Sequence, residues 1–164
     1  MRASLWLLLL VLPAGCISPD RTEDPFWIAR EIDDGPPMRD LMHAAMLAMM
    51  RSDFPPGELD QVGGVATSGW DVNLSPYSER GYRSQAIVEV ERTDGERGYR
   101  LRSRVRIQVN KEIHKTLEED SAKWEDRRED RARAEVVMRQ LLIQVAPRSG
   151  SGGRLRAAQP SDAR

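Results

Sequence analysis

Cysteine and histidine are scarce in this chain of 164 residues, which has one cysteine and two histidines. A single cysteine cannot form an internal disulfide, and so few sulfur and imidazole groups leave almost no ligands for a zinc or iron–sulfur centre. Neither sign of charge dominates, because 25 basic side chains stand against 26 acidic ones. Nucleic-acid-binding proteins normally show a basic excess. The sequence therefore predicts no metal, no other cofactor and no nucleic-acid partner.

Long hydrophobic runs are also missing, since the one unbroken apolar stretch, residues 5–12, is short. Such a stretch rises about 12 Å as a helix, whereas the hydrocarbon core of a bilayer is about 30 Å thick. It follows a polar start that contains Arg2, and it ends shortly before the small residues Ala14 and Gly15. A charged start, a short apolar core and a small-residue exit are typical of a secretory signal rather than of a spanning helix.

The only cysteine of the chain, Cys16, follows this signal directly. Residues 5–16 resemble the signal of bacterial lipoproteins, in which small residues precede a cysteine that becomes the first residue of the mature protein. Ala14 and Gly15 match that pattern, while Pro13 stands where the family has leucine. The resemblance implies that the sulfur of Cys16 carries a diacylglycerol and that its amine is acylated.

Two other fates of this segment remain open from the sequence. The first is an ordinary secretory signal that is cut a few residues later, for instance after Ser18. The second is an anchor that is not cleaved. In the lipoprotein interpretation residues 1–15 are the signal peptide, and Ile17 follows the lipidated Cys16. Lipoproteins of enteric bacteria that stay in the inner membrane have aspartate at that second position. The resemblance therefore implies anchoring in the outer membrane, facing the periplasm.

Three regions are predicted behind the signal. Residues 16–37 are rich in proline and acidic side chains, which favour an extended, solvated tether. Within that tether the apolar island 26–28 (Phe-Trp-Ile) is either a short edge strand or a plug that docks on the domain. Residues 38–147 are long enough for one modest core. Residues 148–164 are rich in serine, glycine, proline and arginine and are predicted to be disordered.

Two segments have the periodicity of amphipathic helices. In the first, residues 38–51, methionine, leucine and alanine recur every three or four positions between two pairs of prolines. We interpret this methionine-rich stripe as core, with an adaptable binding surface as the alternative. The second helix is predicted to run from the charged stretch 125–133 to Val145. Residues 111–126 are either an early start of that helix or an extended crossover.

Alternating apolar and polar residues predict three strands between the helices, the first over residues 65–74. The other two flank Asp94 and Gly95, a pair typical of a two-residue hairpin turn, so that Thr93 is expected to face Glu96. The expected cross-strand pairs are Val90–Tyr99, Val88–Leu101, Ala86–Ser103 and Ser84–Val105 on the inner face, and Glu89–Arg100 and Gln85–Arg104 on the outer face. The predicted fold is an α+β two-layer sandwich, with a three- or four-stranded antiparallel sheet packed against two helices.

A row of arginines occupies alternate positions of the third predicted strand. Its members are Arg100, Arg102, Arg104 and Arg106. Neighbours on one face of a strand are about 7 Å apart, so the row is expected to be about 20 Å long. Arg83 of the second strand is expected to face Arg106, and like charges directly opposed are destabilising. The functional interpretation is an anion-binding face for phosphorylated lipid head groups, polysaccharide or an acidic protein. The alternative is a solvated face partly neutralised by Glu89 and Glu91.

No catalytic motif accompanies these features. His43 is expected to be a partly buried residue of the first helix and His114 to face solvent, and an enzyme would need one of them beside carboxylates in a polar cleft. The leading hypothesis is therefore a lipid-anchored envelope protein with a non-catalytic domain that binds or braces a partner. The alternative is a periplasmic carrier that encloses a lipid or other apolar ligand between helices and sheet.

The partner is expected to be an envelope protein that pairs with an exposed edge of the sheet. The order of elements is similar to that of the LPS-assembly lipoproteins, which plug an outer-membrane barrel. A strand at residues 26–28, ahead of the first helix, would make this similarity closer, and coil there would weaken it.

Replacing Cys16 with serine removes the sulfur that would carry lipid, and the variant is expected to leave the membrane fraction. Each buried methylene contributes about 0.8 kcal/mol, so several acyl chains together hold a protein on a membrane effectively for good. Cell fractionation followed by immunoblotting measures the change, and Ser18→Ala, which keeps the cysteine, is the control. A Cys16→Ser protein that still sediments with membranes would contradict the lipid anchor.

Overall fold

The computed structural model describes residues 25–75, 80–95, 97–127, 129–146 and 156–157. They form one sheet, with seven strands and a two-residue eighth, and two α-helices. In chain order the elements are β1 (Ile28–Ile32), α1 (Met38–Met50), β2 (Glu58–Asp60), β3 (Val65–Thr67), β4 (Asp71–Asn73), β5 (Tyr82–Arg92), β6 (Tyr99–Asn110), β7 (Trp124–Arg127), α2 (Arg131–Val145) and β8 (Arg156–Ala157). The predicted α+β class is confirmed, but the predicted three or four strands are too few. Cys16 and the predicted signal peptide 1–15 lie outside the described residues.

The long strands β5 and β6 form the centre of the sheet and pair antiparallel along the full length of β5. Shorter strands flank this central pair on both sides. β3 and β4 pair with β5, β1 and β7 pair with β6, and β2 and β8 extend the two edges. All of these strand pairs are antiparallel. Three of the extra strands come from segments predicted as tether, crossover and tail (β1, β7 and β8). The others are β2, which lies between the first helix and the first predicted strand, and the division of that predicted strand into β3 and β4.

The strand predicted over residues 65–74 is broken into β3 and β4 at Ser68. The hydroxyl of Ser68 accepts a hydrogen bond from the backbone N–H of Ala86 at 2.9 Å, and the N–H of Ser68 donates to the carbonyl of Ala86 at 2.9 Å. A side-chain oxygen thus replaces the backbone acceptor of a continuous ladder. The next N–H, that of Gly69, turns away to the carbonyl of Pro55 at 3.1 Å.

The turn between β5 and β6 is longer than predicted, and the register differs from the predicted one by two residues. The observed inner pairs are Val90–Leu101, Val88–Ser103, Ala86–Val105 and Ser84–Ile107. The carbonyl of Gly98 accepts a bond from the N–H of Thr93, while its own N–H donates to the carbonyl of Gly95, which closes a wider loop. Because side chains alternate with period two, a shift of two residues leaves each side chain on its predicted face.

Both helices pack on one face of the sheet, and buried apolar side chains fill the layer between them. The buried set includes Leu41, Met42, Ala45, Ala48 and Met49 of α1, Ala134, Val137, Met138, Leu141 and Val145 of α2, and Ala86, Val88, Val90, Leu101 and Val105 of the sheet. The interpretation of the methionine-rich stripe as core is confirmed for Met42 and Met49. His43 is exposed instead of partly buried, since it shares the outer side of α1 with Leu47 and Met50.

The helix α2 begins at Arg131, later than predicted, because the charged residues before it form β7. Trp124–Arg127 pairs with the end of β6, so the extended crossover is the correct alternative. Asp130 is the N-cap, and its carboxylate accepts a hydrogen bond from the N–H of Arg133 at 3.0 Å. This bond satisfies a helix donor that would otherwise lack a partner. The N–H of Asp130 itself donates to the carbonyl of Val105, in the gap between β1 and β7.

The folded domain begins at β1, within the segment 16–37 that was predicted to be a tether. Ile28 and Ile32 are both buried and point to the same side of β1, so these two side chains attach the segment to the core. Phe26 and Trp27 precede the strand, and only the third residue of the apolar island belongs to it.

The predicted disordered tail, residues 148–164, also contributes to the sheet. Its residues Arg156 and Ala157 form β8 and pair with Glu31 and Arg30 of β1. Backbone pairing with an open strand edge, which sequence composition does not report, accounts for this difference.

Truncating Leu101, which is fully buried between sheet and helices, is expected to destabilise the domain strongly. A buried leucine replaced by alanine costs about 2–5 kcal/mol through lost burial and the cavity left behind. Ile143→Ala is the control, because this α2 side chain is exposed and its loss should change stability by no more than about 0.5 kcal/mol. Urea unfolding measures both. Equal effects of the two substitutions would contradict the described core.

Candidate functional site

The face of β5 and β6 that points away from the helices, here called the outer face, combines arginines, acidic residues and tryptophans. Its cross-strand neighbours are Glu91–Arg100, Glu89–Arg102, Ile87–Arg104, Gln85–Arg106 and Arg83–Gln108. Three half-buried indoles lie over these residues: Trp27 ahead of β1, Trp70 ahead of β4 and Trp124 in β7. The structure thus brings all five predicted arginines onto one face.

Each arginine of the β6 row has a carboxylate partner. The ion pairs are Arg100–Glu31 at 3.0 Å, Arg102–Glu89 and Arg102–Glu91 at 2.6 Å each, Arg104–Glu129 at 3.4 Å and Arg106–Asp126 at 3.4 Å. Three of these acids come from β1, β7 and the segment before α2, in addition to the two expected from β5. The row is therefore neutralised, which favours the solvated-face alternative over a free row of positive charge. Anion binding by these arginines stays a prediction.

Trp27, which directly precedes β1, covers two arginines of β6. The guanidinium carbons of Arg102 and Arg104 lie 5.2 Å and 4.7 Å from the centroid of its ring. Since Ile28 pairs with Ser103, the residue before Ile28 falls beside Arg104 on the outer face. Cations stacked on an indole are stabilised by the ring quadrupole, and the ring also shields their aliphatic stems from water.

Arg83 lies between two indoles. Its guanidinium carbon is 4.2 Å from the ring centroid of Trp70 and 4.6 Å from that of Trp124. Its Nε donates a hydrogen bond to the side-chain oxygen of Gln108 at 2.8 Å. The predicted opposition to Arg106 is wrong because of the two-residue register shift. Burial lowers the pKa of Arg83 from its usual value, and the charge of Arg106 lowers it further.

The loop 111–123 determines where Trp124 lies. The side-chain oxygen of Asn110, which is fully buried, accepts hydrogen bonds from the N–H groups of Glu112 and Lys123 and so joins the two ends of the loop. The carboxylate of Glu112 accepts the N–H of His114 and pairs with the Lys123 ammonium at 2.9 Å. These contacts, the His114 bond first, lower the pKa of Glu112 to about 2. The carboxylate of Glu112 therefore stays ionised well below neutral pH.

The sequence identified the arginines of this face but not its tryptophans. Trp27 could have been placed from the sequence, because neighbouring residues of a strand point to opposite faces and Ile28 is an apolar residue suited to the inner face. Trp70 falls within the strand predicted over residues 65–74, and the alternation of apolar and polar residues does not reveal the break at Ser68. For Trp124 the extended alternative was named, but its partner strand was not.

A polar cleft of about 440 Å³ opens beside the last turn of α1 and the start of α2. In it Arg133 donates hydrogen bonds to Asp71 at 3.1 Å and to the buried hydroxyl of Ser84 at 2.7 Å. Neither His43 nor His114 lines the cleft, so it lacks the combination of histidine and carboxylate that the enzyme hypothesis needs. Among the described residues, no cluster of three or more histidine, cysteine or acidic side chains is arranged to hold a metal ion.

The carrier hypothesis requires an apolar cavity between the helices and the sheet. In that layer Leu41, Met42, Leu101 and Leu141 are fully buried and belong to one continuous cluster. Protein interiors packed in this way have few voids larger than a water molecule. The arrangement favours a filled core over a ligand chamber.

Comparison with known proteins finds no family model that matches this chain and no matching curated protein. In the part of the chain that the structure describes, no helix combines the length and the apolar character needed to cross a bilayer.

Replacing Arg83 with methionine keeps the length of the side chain and removes the cation between Trp70 and Trp124. We expect a loss of about 1–3 kcal/mol in the free energy of unfolding, since cation–π stacking and the bond to Gln108 both disappear. Arg80→Met, at an exposed position nearby, should have little effect. Urea unfolding followed by tryptophan fluorescence measures both variants. Indistinguishable stabilities would show that the stacked arginine contributes nothing.

Proposed function

We propose that this protein is an outer-membrane lipoprotein of the bacterial envelope, with a non-catalytic domain that the lipid on Cys16 holds at the membrane. The resemblance of residues 5–16 to lipoprotein signals supports the anchor. Because the sheet begins at Ile28, about ten residues separate anchor and domain, and at full extension they span at most about 40 Å. The domain therefore works close to the membrane surface, on its periplasmic side.

The edge of β1 is the observation that carries the binding role. β1 pairs with β6 along all of its five residues, whereas on its other side the described part of the chain pairs with Arg30 and Glu31 alone, through β8. Backbone groups at such an edge are ready to pair with a strand of another protein, and β8 is an example of strand addition within the chain. We assign this edge to an envelope protein partner.

The order of elements supports an assembly-accessory role of the kind that LPS-assembly lipoproteins perform. The similarity is closer with a strand at residues 26–28 and weaker with coil there. β1 precedes α1, but of these three residues only Ile28 belongs to it, so the island supports the similarity in part. The sheet has more strands than the similarity implied, however, so the likeness concerns element order alone and does not by itself establish a function.

Site-specific photo-crosslinking in living cells tests this assignment. A photoreactive amino acid at Asp33, the exposed residue that follows β1, is expected to capture one envelope protein. The same group at Ile143, exposed on α2, should capture none, and Cys16→Ser combined with the Asp33 probe should lose the adduct. A membrane-bound protein that gives no adduct from Asp33, or equal adducts from both positions, would contradict the proposed partner edge.

A further inference from the structure

We infer that the outer face rests on the phospholipid surface to which the protein is anchored, and that zwitterionic head groups are its ligand. This inference rests on the proposed lipid anchor at Cys16, but it assigns a surface and an orientation that the anchor alone does not require. The partner edge of β1 lies at the rim of the sheet and stays accessible in this orientation.

The tryptophans are the first argument. Trp27, Trp70 and Trp124 are all on the side of the sheet opposite the helices, and none of them belongs to the buried core cluster. All three are only half-buried. Tryptophan is enriched at membrane–water interfaces, where the apolar ring and the polar N–H are both satisfied. Three partly exposed indoles on one face match that environment.

The charges of the outer face are the second argument. Guanidinium and carboxylate groups lie side by side on the outer face. Arg102, for example, contacts both Glu89 and Glu91 at 2.6 Å. A row of unpaired arginines would favour anionic lipids, but a face of ion pairs has no such preference. A zwitterionic head group carries a phosphate and an ammonium next to each other. Arginine donors suit the phosphate, and the neighbouring carboxylates suit the ammonium.

The path of the chain is the third argument. Phe26 lies between the anchor and β1, is 41% exposed, and stacks on Arg131 with 4.7 Å between ring centroid and guanidinium carbon. Trp27 follows it directly and lies on the outer face. The tether therefore delivers the domain to the membrane at an aromatic pair, with the rest of the outer face adjoining it.

Fluorescence quenching by brominated lipids tests the inference on the full lipidated chain. Of the four tryptophans, Trp6 lies in the predicted signal, which leaves the three indoles of the outer face as the only fluorescent ones after cleavage. In vesicles of phosphatidylcholine with brominated acyl chains, we expect clear loss of emission relative to unbrominated vesicles. Trp27→Phe, Trp70→Phe and Trp124→Phe should each reduce the amount of emission, per mole of protein, that the brominated chains remove. Leu47→Ala, exposed on α1, should leave it unchanged.

The outcomes separate the inference from the anchor. A protein that does not float with the vesicles lacks the lipid, and the proposed function fails. A protein that floats but shows no quenching either turns another side to the bilayer or uses its outer face to bind a protein instead of lipid. Either result overturns the inference and leaves the anchor intact. Quenching that requires added phosphatidylglycerol and disappears in high salt would overturn the zwitterionic ligand, because it indicates attraction to anionic lipid.

Discussion

The antiparallel pairing of β5 with β6 is the constraint on which the rest of this structure depends. It is the longest strand pair in the described chain, and its alternation sends Val88, Leu101 and Val105 into the core. The same alternation sends the arginines to the opposite side, where the helices do not cover them. The shorter strands β1, β3, β4 and β7 find their register against one of these two, and β2 and β8 pair with β3 and β1 in turn. The core and the outer face therefore both follow from this ladder.

The outer face shows why a chain with many arginines has almost no net charge. Its cations are matched by acids drawn from β1, β5, β7 and the segment before α2. Arg83, which forms no close ion pair among the described residues, is stacked between two indoles instead. Exposed ion pairs individually contribute little to stability, typically about 0–1 kcal/mol. Their effect here is chemical: they convert a basic ladder into a mixed surface of donors, acceptors and aromatic rings.

The periodicity of short sequence segments predicted those elements whose structure depends on neighbouring residues. The period of the methionine-rich segment identified α1, and alternation assigned the inner and outer residues of β5 and β6 correctly even though the turn was misjudged. The misjudged turn depends on Gly98, whose bond to Thr93 competes with the expected Asp-Gly geometry. The strands β1 and β7 were open alternatives in the sequence, which could not name their partner strands. The strand β8 and the acids Glu31, Glu129 and Asp126 could not be predicted, because each acquires its role only through contact with a distant part of the chain.

The proposed orientation of the outer face and the proposed role of the β1 edge both require that the domain is attached to a membrane through the residues ahead of Phe26. Mass spectrometry of the N-terminal peptide of the protein isolated from membranes examines this attachment most directly. A lipid-anchored protein gives a peptide that starts at Cys16 and carries a diacylglycerol on sulfur and an acyl chain on nitrogen. An intact leader, or an unmodified start downstream of Cys16, would contradict it.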